Sequence, residues 1–325
     1  MPTRRHLLGL TAAVLAAPAM VHAQAPWPNR SIRLIAQFPP GGLVDTVSRL
    51  LAPALAGVLG QSVVVENRPG AGGVIGTDVV AKAPADGYTL LVSHASVHVF
   101  GAATRPTLPF DPIADFTHMV HLVEAPNILL VRANSPFQTL EQYIAAARTR
   151  PVRFGSSGIG SAPHLLGAML SSEARTPNLD HVPYAGSAPA MQDVLANNIE
   201  SMIDPITTNV QQLRDGSLRA LAISTPSRLG AFPNIPTFAE LGYPKLTSAQ
   251  WLGLSAPKGL PQPIVERLTA AVPPLLARPE LAQRFVDLQT MPRTPVPTGD
   301  AFVALIREDL AAWTAVARQF NITVS

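Results

Sequence analysis

Loops rich in glycine, proline and serine follow several of the predicted strands. The first is Phe38–Asp45 (FPPGGLVD), and the second is Gly155–Ser161 (GSSGIGS). Glycine lets backbone N–H groups come close to a ligand, and the start of a helix offers unpaired N–H donors with a partial positive charge. Serine hydroxyls add side-chain donors. These loops predict a binding site for an anion such as a carboxylate; the alternative for the first loop is a tight turn without a ligand.

Two further loops carry a polar side chain near the end of a strand. Tyr184 could offer its hydroxyl to a cleft, or it could be a core aromatic residue with a solvated tip. Asp204 would repel an anion, so a direct contact needs water, a ligand amine or a ligand hydroxyl. The alternative for Asp204 is that it braces a neighbouring loop. Asp45 is expected to cap or brace the first loop.

Two glycine-containing stretches fail as catalytic or cofactor motifs. The nucleophile pattern G-x-S-x-G, started at Gly155, reaches Ser157 but meets Ile159 where glycine is required. The dinucleotide pattern G-x-G-x-x-G, started at Gly70, meets Ile75 at its third glycine. Spacing alone defines neither a Ser–His–Asp set nor a pair of carboxylates. We therefore predict no catalytic residue and no cofactor.

The histidines include two close pairs, His94 with His98 and His118 with His121. Either pair could in principle share a metal ion. Neither has a nearby carboxylate or thiolate that completes a recognisable ligand set, so we predict no metal site. His94 directly follows a predicted strand, which makes it the better candidate for a pocket residue.

Predicted strands and helices alternate in the order that produces a parallel sheet with helices on both faces. The pattern runs from Ser31 to Ser93 and resumes from Ile128 to Ser224. The tail from Trp251 resembles neither part, so we expect it to cover the first. The sequence thus predicts an α/β fold of two doubly wound lobes. Lobe 1 is discontinuous (24–126 and 250–325), and lobe 2 comprises 127–249.

Composition bounds the class of protein. The chain has 325 residues, of which 47% are hydrophobic and 14% charged, enough for a large buried core. The net charge is +3, of which Arg4 and Arg5 supply two, and no basic cluster longer than a pair lies outside short loops. We therefore expect no nucleic-acid partner. The absence of cysteine excludes disulfides and thiolate chemistry, and it fits an oxidising compartment.

The N-terminus has the layout of a secretory signal peptide. Arg4 and Arg5 precede an apolar run, Leu7–Val21, which is too short to span a bilayer. Small residues at Val21 and Ala23 suit a signal peptidase. The arginine pair suggests the Tat route, although Sec signals also carry two arginines; a buried N-terminal helix is the alternative. We expect residues 1–23 to be removed and the mature protein to be periplasmic.

Seven motifs occur in the order found in one known family. They are Phe38–Asp45 (FPPGGLVD), Val64–Gly73 (VVENRPGAGG), Ala85–Leu91 (ADGYTLL), Gly158–Leu165 (GIGSAPHL), His181–Gly186 (HVPYAG), Leu218–Ala222 (LRALA) and Pro233–Thr237 (PNIPT). The chain resembles the substrate-binding proteins of tripartite tricarboxylate transporters, the Bordetella uptake gene type. The likeness runs from Trp27 to the C-terminus.

The resemblance implies a type II periplasmic-binding fold, in which two α/β lobes joined by two crossing strands close on a carboxylate. With His94 added from its position, the expected ligand-binding residues are Pro40, Gly41, Gly42, Ser93, His94, Ser157, Gly160, Ser161, Tyr184 and Asp204. Asp45 and His164 are expected to brace loops. The family often holds ligand oxygens through backbone N–H groups and bridging water, which agrees with the lack of arginine in these loops.

Departures from the family pattern leave the identity of the ligand open. The residue after Tyr184 is usually lysine and is Ala185 here. The helix after His164 lacks its usual acidic residue, and His94 and His98 are unusual additions.

We expect a monomer that captures a small organic acid by lobe closure and delivers it to the membrane permease subunits of a tripartite transporter. It should catalyse nothing. One alternative is a ligand-sensing protein that presents its closed state to a sensor kinase. The other is a periplasmic hydrolase on the same scaffold, for which His94 and His164 are the only candidate bases.

Overall fold

The computed structural model describes residues 27–319 and 321–324. The predicted signal peptide, residues 1–23, lies outside the described residues. Within the described part of the chain, no helix has both the length and the apolar composition needed to cross a bilayer.

The described chain contains nine strands and ten α-helices, which alternate as far as β8. The strands are β1 (Ile32–Ala36), β2 (Val63–Asn67), β3 (Thr89–His94), β4 (Phe116–Arg132), β5 (Val152–Ser156), β6 (Leu179–Pro183), β7 (Ser201–Pro205), β8 (Leu218–Ile223) and β9 (Ala249–Pro257). The helices are α1 (Leu43–Leu59), α2 (Val74–Ala81), α3 (Ala102–Thr104), α4 (Leu140–Thr149), α5 (Ala162–Glu173), α6 (Ser187–Leu195), α7 (Val210–Arg214), α8 (Gln262–Leu276), α9 (Pro279–Asp287) and α10 (Asp300–Gln319). A π-helical turn, Ser96–Gly101, follows β3.

The strands form one sheet in the order β2-β1-β3-β9-β4-β7-β5-β6, with β8 also paired to β4. Strand β1 pairs in parallel with β2 and β3, and β5 pairs in parallel with β6 and β7. Strand β9 pairs antiparallel with β3 and β4, and β4 pairs antiparallel with β7 and β8. Parallel neighbours need crossover helices, and α1, α2, α5 and α6 supply them. The carboxyl ends of β1 and β5 therefore lead into helix starts, where ligands bind in sheets of this kind.

Strand β4 passes from one part of the sheet to the other. Its first part pairs with β9 as far as Pro126, opposite Ala249, and from Asn127 onward it pairs with β7 and β8. The sequence predicts only Ile128–Val131 of this strand. The earlier part escapes prediction because buried polar residues interrupt its apolar pattern; His118, for example, is 4% exposed and bonds Ser255 Oγ through Nδ1 at 2.8 Å.

Separate hydrophobic clusters lie on the two sides of this crossing point. One joins α1 to β1, the first part of β4, β9 and α8. In α1 the buried residues Val44, Val47, Leu51 and Leu55 share a face because they recur every three or four positions. Two other clusters pack α4, α5 and α6 against the second part of β4, β5 and β7. The long helix α10 contacts both sides. Phe302 packs on Trp251 of β9, and Trp313 packs on Phe100, at 4.7 Å between ring centroids, as well as against the cluster that contains α4 and α5.

Candidate functional site

A cavity of about 210 Å³ opens where loops from the two parts of the sheet meet. Prolines and the side chains of Phe38, Leu43, Val44 and Met191 form its apolar surface. The polar side chains in its wall are His94, Ser96, Ser157, Ser187, Thr208, Asn209 and Gln250. Neither lysine nor arginine is among the described residues that line it.

The first loop brings unpaired backbone donors to this cavity. The first helical hydrogen bond of α1 runs from Thr46 N–H to Gly42 C=O, so the N–H groups of Leu43 and Val44 have no partner within the helix. Both residues line the cavity, as do Pro40, Gly41 and Gly42. The start of α1 therefore presents donors and a partial positive charge to whatever occupies the cavity.

Asp45 holds the first loop in place. Its carboxylate accepts hydrogen bonds from Gly41 N–H at 2.9 Å, from Asn67 Nδ2 at 2.9 Å and from Arg49 Nε at 2.9 Å. Burial works to raise the pKa of Asp45, but the hydrogen bonds from Arg49, Gly41 and Asn67 outweigh it and lower the pKa. Gly41 has φ +83°, a conformation that glycine adopts easily, so Asp45 fixes a turn that the sequence permits.

His94, the last residue of β3, lies in the cavity wall with only 4% of its surface exposed. Neither ring nitrogen has a hydrogen-bond partner. The ring packs edge-on against Phe38 at 5.5 Å between centroids. Burial, followed by the nearby His98, lowers the pKa of His94 to about 3. The imidazole is therefore neutral at neutral pH, and it offers one donor and one acceptor but no positive charge.

The opposite wall is built around Asp204, at the end of β7. The carboxylate is fully buried and accepts hydrogen bonds from Ser187 Oγ at 2.6 Å, from Asn209 Nδ2 at 2.8 Å and from Thr208 Oγ1. Burial raises the pKa of Asp204 to about 6 against the opposing effect of these bonds. Ser187, Thr208 and Asn209 line the cavity and Asp204 itself does not, so it acts through its neighbours.

Several residues expected to bind ligand lie outside this cavity wall. Ser93 faces Ser255, whose Oγ donates to it at 2.8 Å. The Tyr184 hydroxyl donates to Asp193 at 2.7 Å, and burial and this hydrogen bond raise the pKa of Tyr184 to about 12. Ser161 caps α5. Gly160, likewise outside the wall, donates its N–H to His164. Ser157 alone of the second-loop residues reaches the cavity, so ligand contacts by Ser93, Gly160, Ser161 and Tyr184 stay predictions.

Four other histidines, His98, His118, His164 and His181, have contacts of their own. His164 accepts the Gly160 N–H through Nδ1 at 3.0 Å and stacks on His181 at 3.9 Å between centroids. His98 and His118 both bond the carbonyl of Pro112, at 2.8 and 3.1 Å. Across the described residues, no group of three or more histidine, aspartate or glutamate side chains is placed to hold a metal ion.

Sequence reasoning missed five polar residues of the wall: Ser96, Ser187, Thr208, Asn209 and Gln250. Ser187 and Thr208 stand in loops that follow predicted strands, and this position is the available signal for them. No sequence signal marks Ser96 or Gln250, because they are 154 residues apart. They meet only in the folded protein, where Ser96 Oγ donates to Gln250 Oε1 at 3.2 Å.

Comparison with known proteins identifies the family. Residues 47–322 match the family described as "TctC: Tripartite tricarboxylate transporter family receptor". The chain belongs to this family. Among curated relatives, protein BugT of Bordetella pertussis is 34% identical over 316 residues, which is 96% of both chains. The family expected from the motifs is thereby confirmed.

Solved structures extend the comparison to the fold. The periplasmic binding protein BugD superposes with a TM-score of 0.86 at 31% identity, covering 91% of this chain and 99% of that one. MatC from Rhodopseudomonas palustris, solved with bound malate, gives 0.83 at 32% identity, covering 89% and 99%. Another R. palustris protein, solved with adipate, gives 0.85 at 31% identity, covering 91% and 99%. The predicted two-lobed type II periplasmic-binding fold is confirmed, and family members are periplasmic solute-binding proteins.

Proposed function

We propose that this protein captures a small organic acid between its lobes and passes it to the membrane subunits of a tripartite transporter. The observation that carries the proposal is the convergence of two helix starts on one cavity, α1 from one lobe and α6 from the other. Such starts stabilise a carboxylate without a cationic side chain, and no lysine or arginine is among the described residues of the wall. Malate and adipate bound to two relatives support a carboxylate.

Closure is the proposed mechanism. We place the lobe boundaries at 24–126 with 250–325 for lobe 1 and at 127–249 for lobe 2, and the change of β4 partners between Pro126 and Asn127 supports this division. A ligand held by both helix starts interacts more strongly with the closed arrangement than with an open one. It therefore shifts the equilibrium toward closure.

Binding without catalysis is supported by the contacts in the cavity wall. Ser187 gives its hydroxyl hydrogen to Asp204, and neither His94 nitrogen has a side-chain partner. No serine–histidine hydrogen bond of the kind that activates a nucleophile is therefore present among the described wall residues. We also propose cleavage near Ala23 and a periplasmic location, because the N-terminal sequence has the order of a signal peptide and family members are periplasmic.

A thermal-shift screen of the mature protein, residues 24–325, tests the proposal. The panel contains malate, adipate, aromatic carboxylates, amino acids and the uncharged amides of the same acids. A carboxylate at 100 times its Kd stabilises the folded protein by about 2.7 kcal/mol. Stabilisation by one class of carboxylate, with none by its uncharged diamide, is the expected result. A panel without any stabilising carboxylate contradicts the proposal.

A further inference from the structure

Asp204 uses the hydrogen-bond donors of three cavity-lining side chains. Ser187, Thr208 and Asn209 all line the cavity, and each directs a hydrogen to the buried carboxylate. Asn209 Nδ2 also donates to Pro205 C=O at 3.0 Å. It also donates to Thr208 Oγ1 at 2.9 Å. Because Asp204 and Pro205 offer only acceptors to Nδ2, the orientation of this amide is fixed by its surroundings.

The wall is consequently left with acceptors. The hydroxyl oxygens of Ser187 and Thr208 keep lone pairs, and Asn209 Oδ1 is buried without a hydrogen-bond partner in a residue that is 1% exposed. A buried acceptor without a partner destabilises the molecule until a donor reaches it. This side of the cavity therefore suits a ligand group that carries a hydrogen on nitrogen or oxygen.

A second carboxylate suits this wall poorly. It has only acceptor oxygens, and it would approach a buried Asp204 with no lysine or arginine among the described wall residues to offset the repulsion. His94 does not supply the missing charge, since both ring nitrogens are buried and the imidazole is neutral. The first turn of α6 adds N–H groups, but Pro189 in that turn has none.

We propose that the ligand carries one carboxylate and, at a second position, a hydrogen-bond donor (amide, ammonium or hydroxyl) that Asn209 Oδ1 accepts. Asp204 is the positioning residue that turns this wall into an acceptor. This inference rests on the proposed function, because the carboxylate is assigned to the helix starts. A receptor that selects diacids would instead bind both carboxylates of its ligand.

The test compares each diacid with a matched donor-bearing acid by calorimetry on the unmodified mature protein. The probes are succinate against succinamate, 4-hydroxybutyrate and 4-aminobutyrate; adipate against adipamate; and terephthalate against terephthalamate. We expect at least one donor-bearing probe to bind roughly tenfold more tightly than its parent diacid, the effect of pairing one buried acceptor. The three four-carbon probes distinguish amide, hydroxyl and ammonium.

Two results overturn the inference in distinguishable ways. If diacids bind at least as tightly as every matched probe, the inference is wrong, a bridging water serves the wall, and the proposed function stands. If no probe of any series binds, the proposed carboxylate function falls with it.

Asp204→Asn tests the positioning role. The asparagine amide can donate to Ser187 and Thr208, so their hydroxyl hydrogens become free to turn toward the cavity, and the buried charge is removed. The preference for the donor-bearing probe should fall from about tenfold toward onefold. Asp180→Asn, at an exposed position of β6, is the matched control and should keep the preference. If Asp204→Asn loses affinity equally for a diacid and for its matched probe, Asp204 has a structural role only. If Asp204→Asn does not fold, the comparison of probes on the unmodified protein still decides the inference.

Discussion

Gln250 Nε2 lies 2.6 Å from Asn127 Oδ1, so a side chain of the cavity wall is bonded directly to the residue where β4 changes partners. Both side chains are 1% exposed. The bonds continue away from the cavity: Asn127 N–H donates to Ser224 Oγ at 2.9 Å, and Ser224 Oγ donates to Ser248 C=O at 2.6 Å. Ligand contact and the crossing point between the lobes thus share one buried hydrogen-bond network, whose bonds are strengthened by exclusion of water.

Gln250→Leu should weaken both the fold and ligand binding. The leucine fills a similar volume but leaves Asn127 Oδ1 and Ser96 Oγ without partners, which costs about 1–3 kcal/mol of unfolding free energy for each buried group. Thermal denaturation without ligand and calorimetry with the best carboxylate measure the two effects. Gln262→Leu, at an exposed residue of α8, is the control. A lower Tm with an unchanged Kd would show that the network supports the fold without influencing the cavity.

Gly42→Val should abolish binding while the protein still folds. Gly42 has φ −81°, and an added Cβ would meet only Pro39 O, at 3.6 Å, so the backbone tolerates a side chain. The valine methyls would occupy the space beside the unpaired N–H groups of Leu43 and Val44. Calorimetry should show at least a hundredfold loss of affinity, roughly 3 kcal/mol, with Tm within a few degrees of the parent.

Gly57→Val is the matched control, because Gly57 is an exposed residue of α1 with open space around it. Retained affinity in Gly42→Val would remove the first loop from the binding site.

Local patterns predict most of the fold. The alternation of strands and helices follows from apolar periodicity and from glycine and proline at the turns. Residues 44–58, 140–148, 263–277 and 300–320 have a helical pattern in the sequence, and α1, α4, α8 and α10 form there. The first part of β4 could not be predicted, because His121 and Glu124 read as surface residues. In the folded protein His121 is fully buried, lies 3.4 Å from Glu124 and packs edge-on against Phe302 of α10. The burial of this residue thus depends on packing against a distant helix, which the local pattern does not contain.

The candidate site is predictable only where it is made of backbone. Gly41 and Gly42 identify a loop whose N–H groups can approach a ligand, and both residues line the cavity. Side chains from distant segments are different: Asn127 and Gln250 are 123 residues apart, and pairing within the sheet is what brings them together. Tyr184 is a further case, since its place at a strand end leaves the cleft and a core position both open, and the bond of its hydroxyl to Asp193 is visible only in the folded protein.

Acid should destabilise the protein between about pH 6.5 and pH 4. Burial lowers the pKa of His94 and His118 to about 3 and that of His98 to about 4, from the ordinary value of 6.5. The unfolded chain therefore binds more protons than the folded protein in this window. The free energy of unfolding is highest above pH 6.5, where the three rings are neutral in both states, and it decreases as the pH falls. Each ring contributes up to about 1.4 kcal/mol per pH unit. Asp204 acts in the opposite direction. Its pKa is raised to about 6, so the folded protein binds a proton there before the unfolded chain does, and this offsets the effect of one histidine.

His94→Asn checks this assignment by denaturant unfolding at pH 7, 6, 5 and 4.5. The slope of unfolding free energy against pH should decrease by about 1.4 kcal/mol per unit relative to the parent protein. An unchanged slope would mean that His94 takes up a proton in the folded state and is not held neutral.

Ala185→Lys should shift the ligand preference toward diacids. Ala185 lines the cavity, follows Tyr184 and is exposed, so a lysine there adds a cation at the edge of a wall whose described residues include no lysine or arginine. Because the charge is solvated, the gain for adipate should be modest, roughly two- to fivefold in affinity, and should weaken as salt is raised to about 0.5 M. Ala185→Met, of similar length without charge, is the control that separates charge from size. Calorimetry at low and high salt measures the affinity of both variants for adipate. If Ala185→Met gives the same gain, or if salt leaves the gain unchanged, the effect comes from packing and the added cation does not change the ligand preference.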